Sequence, residues 1–289
     1  MNKRLTTGVI AFSLFLIAAT AAHAQQAIRA IPVTDTLTAQ TPTSSSPEEE
    51  EFIKPSRPGV ANPAEIQQAG VLQLEVGYDV NLRSEEFHSE QTTPLTLRFA
   101  ATDRLLLEAS IDAVKSQTEE TGPRMTGIGD TRLGFQVVAL KDTEAHPALA
   151  FAYYVKVPTA SERKALGTGR FDHKFLALIS HQFGEVDMDL NGALLVVGRE
   201  DADGWITGGQ GALSFSGEFE NGFGLQGELS GQTKDDVQPK GLYALGALTY
   251  RVNRRLIFDA GLRFGLNPDA PRVGVFTGLT VGLADLHTK

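Results

Sequence analysis

Asp130 and Arg132 stand two residues apart in the stretch T-G-I-G-D-T-R-L-G-F-Q-V-V-A-L, positions 126–140. From Thr131 the stretch alternates. Thr131, Leu133, Phe135, Val137 and Ala139 share one face, and Ile128, Asp130, Arg132, Gly134 and Gln136 share the other. A period of two is that of a β-strand. An acid and a base on one strand face either pair and fill the space they look into, or line a path for water and solute. The same parity puts further charges on the polar faces of other alternating segments. Glu75, Arg98, Glu108 and Asp112 come early, Lys156, Asp187 and Asp189 in the middle, and Asp259 and Arg263 late. Both signs are present, so strong ion selectivity is not expected.

Catalytic patterns do not appear. The chain has no G-x-S-x-G elbow and no H-E-x-x-H pair. His88, His146, His173 and His181 lack ligand spacing, so neither a metal nor a cofactor is expected. Ser180 and His181 are neighbours, and neighbours on a strand point to opposite faces. T-G-I-G-D and G-T-G-R lack the helix and the Lys-Ser/Thr that complete a phosphate loop. No enzyme is expected. The loop 158–171 carries Arg163, Lys164 and Arg170 and reads as an external basic loop. It is either a contact for lipopolysaccharide phosphates or an anionic solute, or simply a solvated loop, since exposed charge alone is worth little.

These residues must be positioned by strands. Alternating segments run from Gly70 to Gly282 and number about twelve, and no helical period lies between them. Their links sort by length. Longer ones are Asn81–Thr93, Val114–Met125, Pro158–Phe171, Gly198–Gly204, Gln232–Lys240 and Leu266–Arg272. Tight ones are Ala101–Asp103, Lys141–His146, Gly184–Glu185, Glu220–Gly222 and Val252–Arg254. Short periplasmic turns, longer external loops and an even strand number define an outer-membrane barrel with apolar residues toward lipid and charges toward the lumen. The pattern predicts an all-β, antiparallel up-and-down transmembrane barrel. Two residues misfit: His173 and His181 fall on the apolar face, which asks for an interface position or a one-residue slip in register.

The rest of the chain frames that barrel. Met1–Ala24 has the Lys3/Arg4 n-region, the Val9–Ala19 apolar run and the A-H-A site of a signal peptide. Residues 25–69, with T-P-T-S-S-S-P and Glu48–Glu51, read as a disordered or extended periplasmic tail, with a plug-like segment as the lesser alternative. The barrel is assigned 70–284. Removing Lys3 and Arg4 takes the formal net charge from −9 to −11, which excludes a nucleic-acid partner. There is no cysteine, so no disulfide braces an exported chain. After the first residues no run of about 20 apolar residues remains, so any membrane crossing is by strands.

The sequence resembles an outer-membrane family associated with the MetA pathway of phenol degradation. The resemblance covers roughly Arg57 to Leu283. It rests on R-P-G-V-A-N-P-A-E, G-V-L-Q-L-E-V-G-Y, T-G-I-G-D-T-R-L-G-F, V-K-V-P-T and G-T-G-R-F-D. The family's P-T-G becomes P-T-A here, with Ala160 in place of the glycine. The resemblance implies a barrel concerned with import or handling of small, often aromatic compounds.

The expected function is an outer-membrane channel or transporter for small, aromatic or hydrophobic molecules. The alternatives are a closed barrel with a structural or surface role, and a soluble periplasmic β-protein that binds a ligand. Expected partners are outer-membrane lipid and lipopolysaccharide, the barrel-insertion machinery and the small-molecule solute. That machinery reads a terminal aromatic residue in many barrels; here the candidate is Phe276 in the last alternating segment.

Overall fold

The alternation folds as one antiparallel sheet closed on itself. The computed structural model describes residues 51–83, 87–118, 122–199, 203–236 and 238–287; the signal-peptide expectation for Met1–Ala24 and residues 25–50 of the expected tail lie outside them. The strands are β1 (Val71–Leu82), β2 (Ser89–Ala100), β3 (Leu105–Thr118), β4 (Arg124–Gly127), β5 (Thr131–Leu140), β6 (Ala148–Val157) and β7 (Asp172–Phe183). β8 (Val186–Gly198), β9 (Trp205–Glu218), β10 (Phe223–Gln232), β11 (Gly241–Asn253), β12 (Leu256–Gly265) and β13 (Val273–Asp285) complete it. Strands that follow one another in sequence pair, except that β4 and β5 both pair with β3, and β1 pairing with β13 closes the ring.

β4 and β5 are one wall strand. Both pair with β3, β4 through Lys115–Thr118 and β5 through Leu105–Ile111. The expected continuous strand from Thr126 to Leu140 is therefore interrupted at Ile128, Gly129 and Asp130, where Gly129 N–H donates to the Asp112 carbonyl (2.8 Å). Counted by wall position, the barrel has twelve strands. Strands also run further than expected into the outer links: β1 reaches Leu82, β2 starts at Ser89 and β3 reaches Thr118. The Phe183↔Val186 pair leaves two residues in the β7–β8 turn, and Gly184 takes φ 65 at the first of them. That is the left-handed conformation a type II′ hairpin demands there.

The outward face is apolar from strand to strand. Leu107, Phe135, Tyr153, Phe175 and Leu194 follow one another across β3, β5, β6, β7 and β8 in register, and Leu107, Phe135, Phe175 and Leu194 are exposed. A soluble protein does not expose such a belt, whereas a bilayer buries it. The two histidines that break the pattern sit towards opposite ends of β7. His173 Nδ1 lies 2.8 Å from the Tyr153 hydroxyl, and its ring is 5.0 Å from that of Trp205. His181 Nδ1 lies 2.7 Å from Asp142 Oδ1 in the β5–β6 turn, with its ring edge-on to Phe183 at 4.6 Å. The register is unslipped, and each imidazole has a polar partner of its own.

The described part of the expected tail, residues 51–69, is where the structure differs most from expectation. Residues 51–70 lie inside the barrel. Phe52 and Ile53 cluster with Val71 and Ile257, and Ile66 with Ala100, Leu106 and Val138. The segment's few apolar side chains are buried, and its backbone is satisfied by inward side chains of the wall, which a solvated tail would not need. Gln68 N–H donates to the Glu51 carbonyl (2.9 Å), so the segment enters and leaves beside itself at the end with the tight turns. Phe276 is also placed otherwise than expected. It points into the barrel, buried with Leu245 and Ala247, because β13 turns that parity inward. A buried residue is not available to a machinery reading the outer face.

Candidate functional site

The inner wall divides into a lower half that grips the plug and an upper half that encloses a cavity. In the lower half, Glu75 accepts from the Ser56 N–H and hydroxyl, both 2.9 Å. Arg98 lies 3.3 Å from Glu75 and 3.3 Å from Glu108, and its Nη1 donates to the Lys54 carbonyl at 2.5 Å. Arg98 and Glu75 are each 1% exposed, so both charges depend on these partners. Moving round the wall, Glu228 accepts from the N–H groups of Val60 (2.7 Å) and Ala61 (2.9 Å). Asn191 accepts from Asn62 N–H (2.7 Å) and donates to its carbonyl (2.9 Å). Ser180 accepts from Ala64 N–H (2.7 Å) and donates to Asp189 (2.5 Å). Gln136 donates to the carbonyls of Pro63 and Ala64. The plug thus makes a circuit of the wall.

Its highest anchor is Arg57, which donates to Asp259 through Nε (3.3 Å) and Nη2 (3.2 Å) and lies 3.7 Å from Asp79. The guanidinium rests on a glycine pair. Gly77 and Gly278 face each other across β1 and β13. A Cβ on Gly77 would stand 2.2 Å from Arg57 Nη1, and one on Gly278 2.5 Å from its Nε. The sheet provides a flat seat that any side chain would fill.

Above the plug is a cavity of about 180 Å³. Its lining includes Asp79 and Glu90 from β1 and β2, Glu108 and Asp112 from β3, and Arg132, Tyr154, Lys174 and Arg263 from β5, β6, β7 and β12. The plug's Arg57 forms part of its floor, and the β10–β11 loop adds Asp236 and Gln238. That loop folds inward: Asp236 lies 2.8 Å from Lys174 Nζ, and its carbonyl accepts from Arg132 Nη2 (2.8 Å). Tyr154 lies over Gly134, where a Cβ would stand 2.2 Å from its ring. Arg263 lies over the Phe276 ring at 5.5 Å.

The structure places the sequence-derived residues in several different settings. Glu75, Arg98, Glu108, Asp189 and Asp259 lie with the plug or its anchors. Asp112, Arg132 and Arg263 line the cavity with Glu108. Asp130 and Lys156 belong to the outer rim. Lys156 lies 3.4 Å from Asp130 and 2.5 Å from Asp172, and Asp130 Oδ1 accepts from Ala160 N–H (2.9 Å). Asp130 therefore braces the loop 158–171. Asp187 is exposed beside the tight β7–β8 turn. In the external loop, Lys164 donates to the Thr126 carbonyl (2.9 Å), Arg163 is exposed, and the Arg170 stem lies against Gly198.

Sequence reasoning missed Arg57, Asp79, Lys174, Glu228 and Asp236. Lys174 and Glu228 carried a usable signal, since each shares parity with inward neighbours and alternates with Phe175, or with Leu225 and Leu229, on the outside. Asp236 carried none, because it lies in a link.

A search of the curated proteins by sequence returns no match. Among solved structures, the fold is similar to that of an outer membrane channel from Pseudomonas putida F1, with TM-score 0.58 and 16% identity over 78% of this chain and 98% of that one. The KdgM porin matches with TM-score 0.48 and 8% identity over 73% and 99%. Outer membrane phospholipase A from Escherichia coli matches with TM-score 0.44 and 14% identity over 76% and 94%. At such identities the likeness is one of fold. In sequence, the family described as "Putative MetA-pathway of phenol degradation" matches residues 56–283, and that span holds the wall, the plug from Ser56 onward and the cavity between them. This outer-membrane β-barrel belongs to that family.

Proposed function

We propose that this protein is a channel for uptake of small molecules across the outer membrane, with the plug as its inner closure. The observation that carries the reading is the polar cavity above Arg57, held between a plug on one side and an inward-folded loop on the other. A barrel built only as a scaffold gains nothing from such a chamber, which keeps charges of both signs partly buried at a desolvation cost. The family's association with phenol degradation supports a small, aromatic solute. Solute enters past the β10–β11 loop, rests in the chamber and leaves when the plug yields. Lipopolysaccharide phosphates meet Arg163 and the other cations of the 158–171 loop, and the insertion machinery acts during assembly. Exported through a cleaved signal peptide, the chain works without a catalytic step. Ser180 is spent on the plug and Asp189, and His181 on Asp142, so the adjacent pair is not joined into a nucleophile and base.

Planar-bilayer recording on protein with a heat-dependent gel shift tests this. Brief, low-conductance openings are expected from the intact chain, and larger, longer ones after Arg57→Ala. A barrel silent in both forms defeats the channel reading and leaves the closed, structural barrel.

A further inference from the structure

Asp236 reaches across the lumen from an external link to two wall cations. Its Oδ2 lies 2.8 Å from Lys174 Nζ on β7, and its Oδ1 is 3.8 Å from Arg132 Nε on β5. The second distance is too long for a hydrogen bond. Arg132 spends Nη2 on the Asp236 carbonyl instead, and its Nε is buried without an acceptor. A guanidinium is best satisfied by two parallel bonds to one carboxylate, and here its fork is only half used. Beside it, Gln238 is 5% exposed, lines the same cavity, and has neither amide atom hydrogen-bonded. Two side chains of one chamber's lining thus keep buried hydrogen-bonding atoms unmet, which normally signals a missing partner.

We propose that Arg132, Lys174 and Gln238 form a receptor for the carboxylate of a small solute, and that Asp236 stands in its place in the empty protein. The inference deepens the channel reading and rests on it for the solute's route of entry. A free carboxylate in the cavity sits on the Arg132 fork and accepts from Gln238 Nε2, and Asp236 gives way with its loop. Three of the neighbouring acids are already matched: Glu108 to Arg98 (3.3 Å), Asp79 to Arg57 (3.7 Å) and Glu90 to Lys115 (3.3 Å). A cavity of about 180 Å³ suits a single ring or short chain, with the Tyr154 ring as its apolar wall.

The test is equilibrium dialysis of radiolabelled benzoate, benzyl alcohol and benzylammonium against detergent-folded protein with an intact gel shift. Benzoate is retained and the other two are not. Asp236→Asn removes the internal competitor and tightens benzoate, since a tethered group competes at a high effective concentration. Arg132→Gln weakens it at least as much, and Arg132→Lys, with charge but no fork, restores only part. Equal retention of all three probes overturns the proposal, as does unchanged benzoate binding in a folded Arg132→Gln. Benzoate retained by a protein silent in bilayers supports the receptor and defeats only the channel. Conductance with no benzoate retained defeats only the receptor.

Discussion

Arg57 and Asp259, 202 positions apart in sequence, are joined by two hydrogen bonds inside the barrel, at 3.3 and 3.2 Å. One belongs to the plug and the other to β12. Arg57→Ala leaves the nearly buried Asp259 without its cation, a change worth roughly 3 kcal/mol or more for a buried pair. The expected result is a lower unfolding midpoint in guanidinium and longer channel openings. Unchanged openings would mean that the plug is held without this pair.

The seat under Arg57 gives an independent route to the same end. Gly278→Val leaves every plug residue intact but fills the space that the guanidinium occupies. Openings should lengthen as in Arg57→Ala, and combining the two substitutions should add little, because residues in contact couple. Additive effects would separate the seat from the arginine.

Glu228 holds two consecutive plug N–H groups with one oxygen. Glu228→Ala leaves both donors buried and unpaired, at about 1–3 kcal/mol for each group. Limited proteolysis of folded protein should then cut within residues 52–66, where the parent resists. Equal resistance would assign the grip to Asn191 and Ser180.

The Asp142–His181 contact carries a pH signature. Burial pushes the Asp142 carboxyl up, but the hydrogen bonds from His181 and from the Gln182 and Thr143 N–H groups outweigh it and hold it below the ordinary carboxylate range. A carboxyl depressed on folding stabilises the fold above its unfolded pKa, about 3.9. That stability is lost as pH falls through the lower, folded value. The thermal unfolding midpoint of Asp142→Asn should lie below that of the parent from pH 5 to 6, and the gap should narrow as the pH falls below about 3.9. A gap that does not change with pH would point to lost shape rather than lost charge.

Leu229 tests the outer face. It is 58% exposed in the middle of β10. Leu229→Arg puts a charge toward lipid at a cost of about 2–4 kcal/mol near the bilayer midplane. The yield of heat-shifting barrel should fall in refolding into vesicles. Full yield would deny that this face meets lipid.

The barrel was legible because its signal is local. Leu133, Phe135 and Val137 declare their face within five residues, and the tight and long links need only be measured. The break at Ile128–Asp130 was not, since it depends on Gly129 reaching Asp112 on the next strand. The plug was only the lesser reading for a stronger reason. Residues 51–69 look solvated by composition, and what satisfies them is Gln73, Glu228, Asn191 and Ser180, up to 168 positions away. The inward set mixed three roles because parity says which way a side chain points but not what waits there. Asp130 meets a loop backbone, Asp259 a plug arginine and Asp112 the cavity.

The plug's two ends lie together at the end of the tight turns, with Gln68 bonded to Glu51. A loop anchored in that way can be drawn out as a bight, without any strand of the wall parting. Tension on its leading end would meet the Glu51–Arg251 contact first, then Lys54, Ser56 and Arg57 in turn, so the fastenings yield one after another as in a peeled tape. Bonds met one at a time resist a pull along the segment less than they resist a load shared among them all. The strength of the closure therefore depends on the direction of the load as much as on the number of bonds.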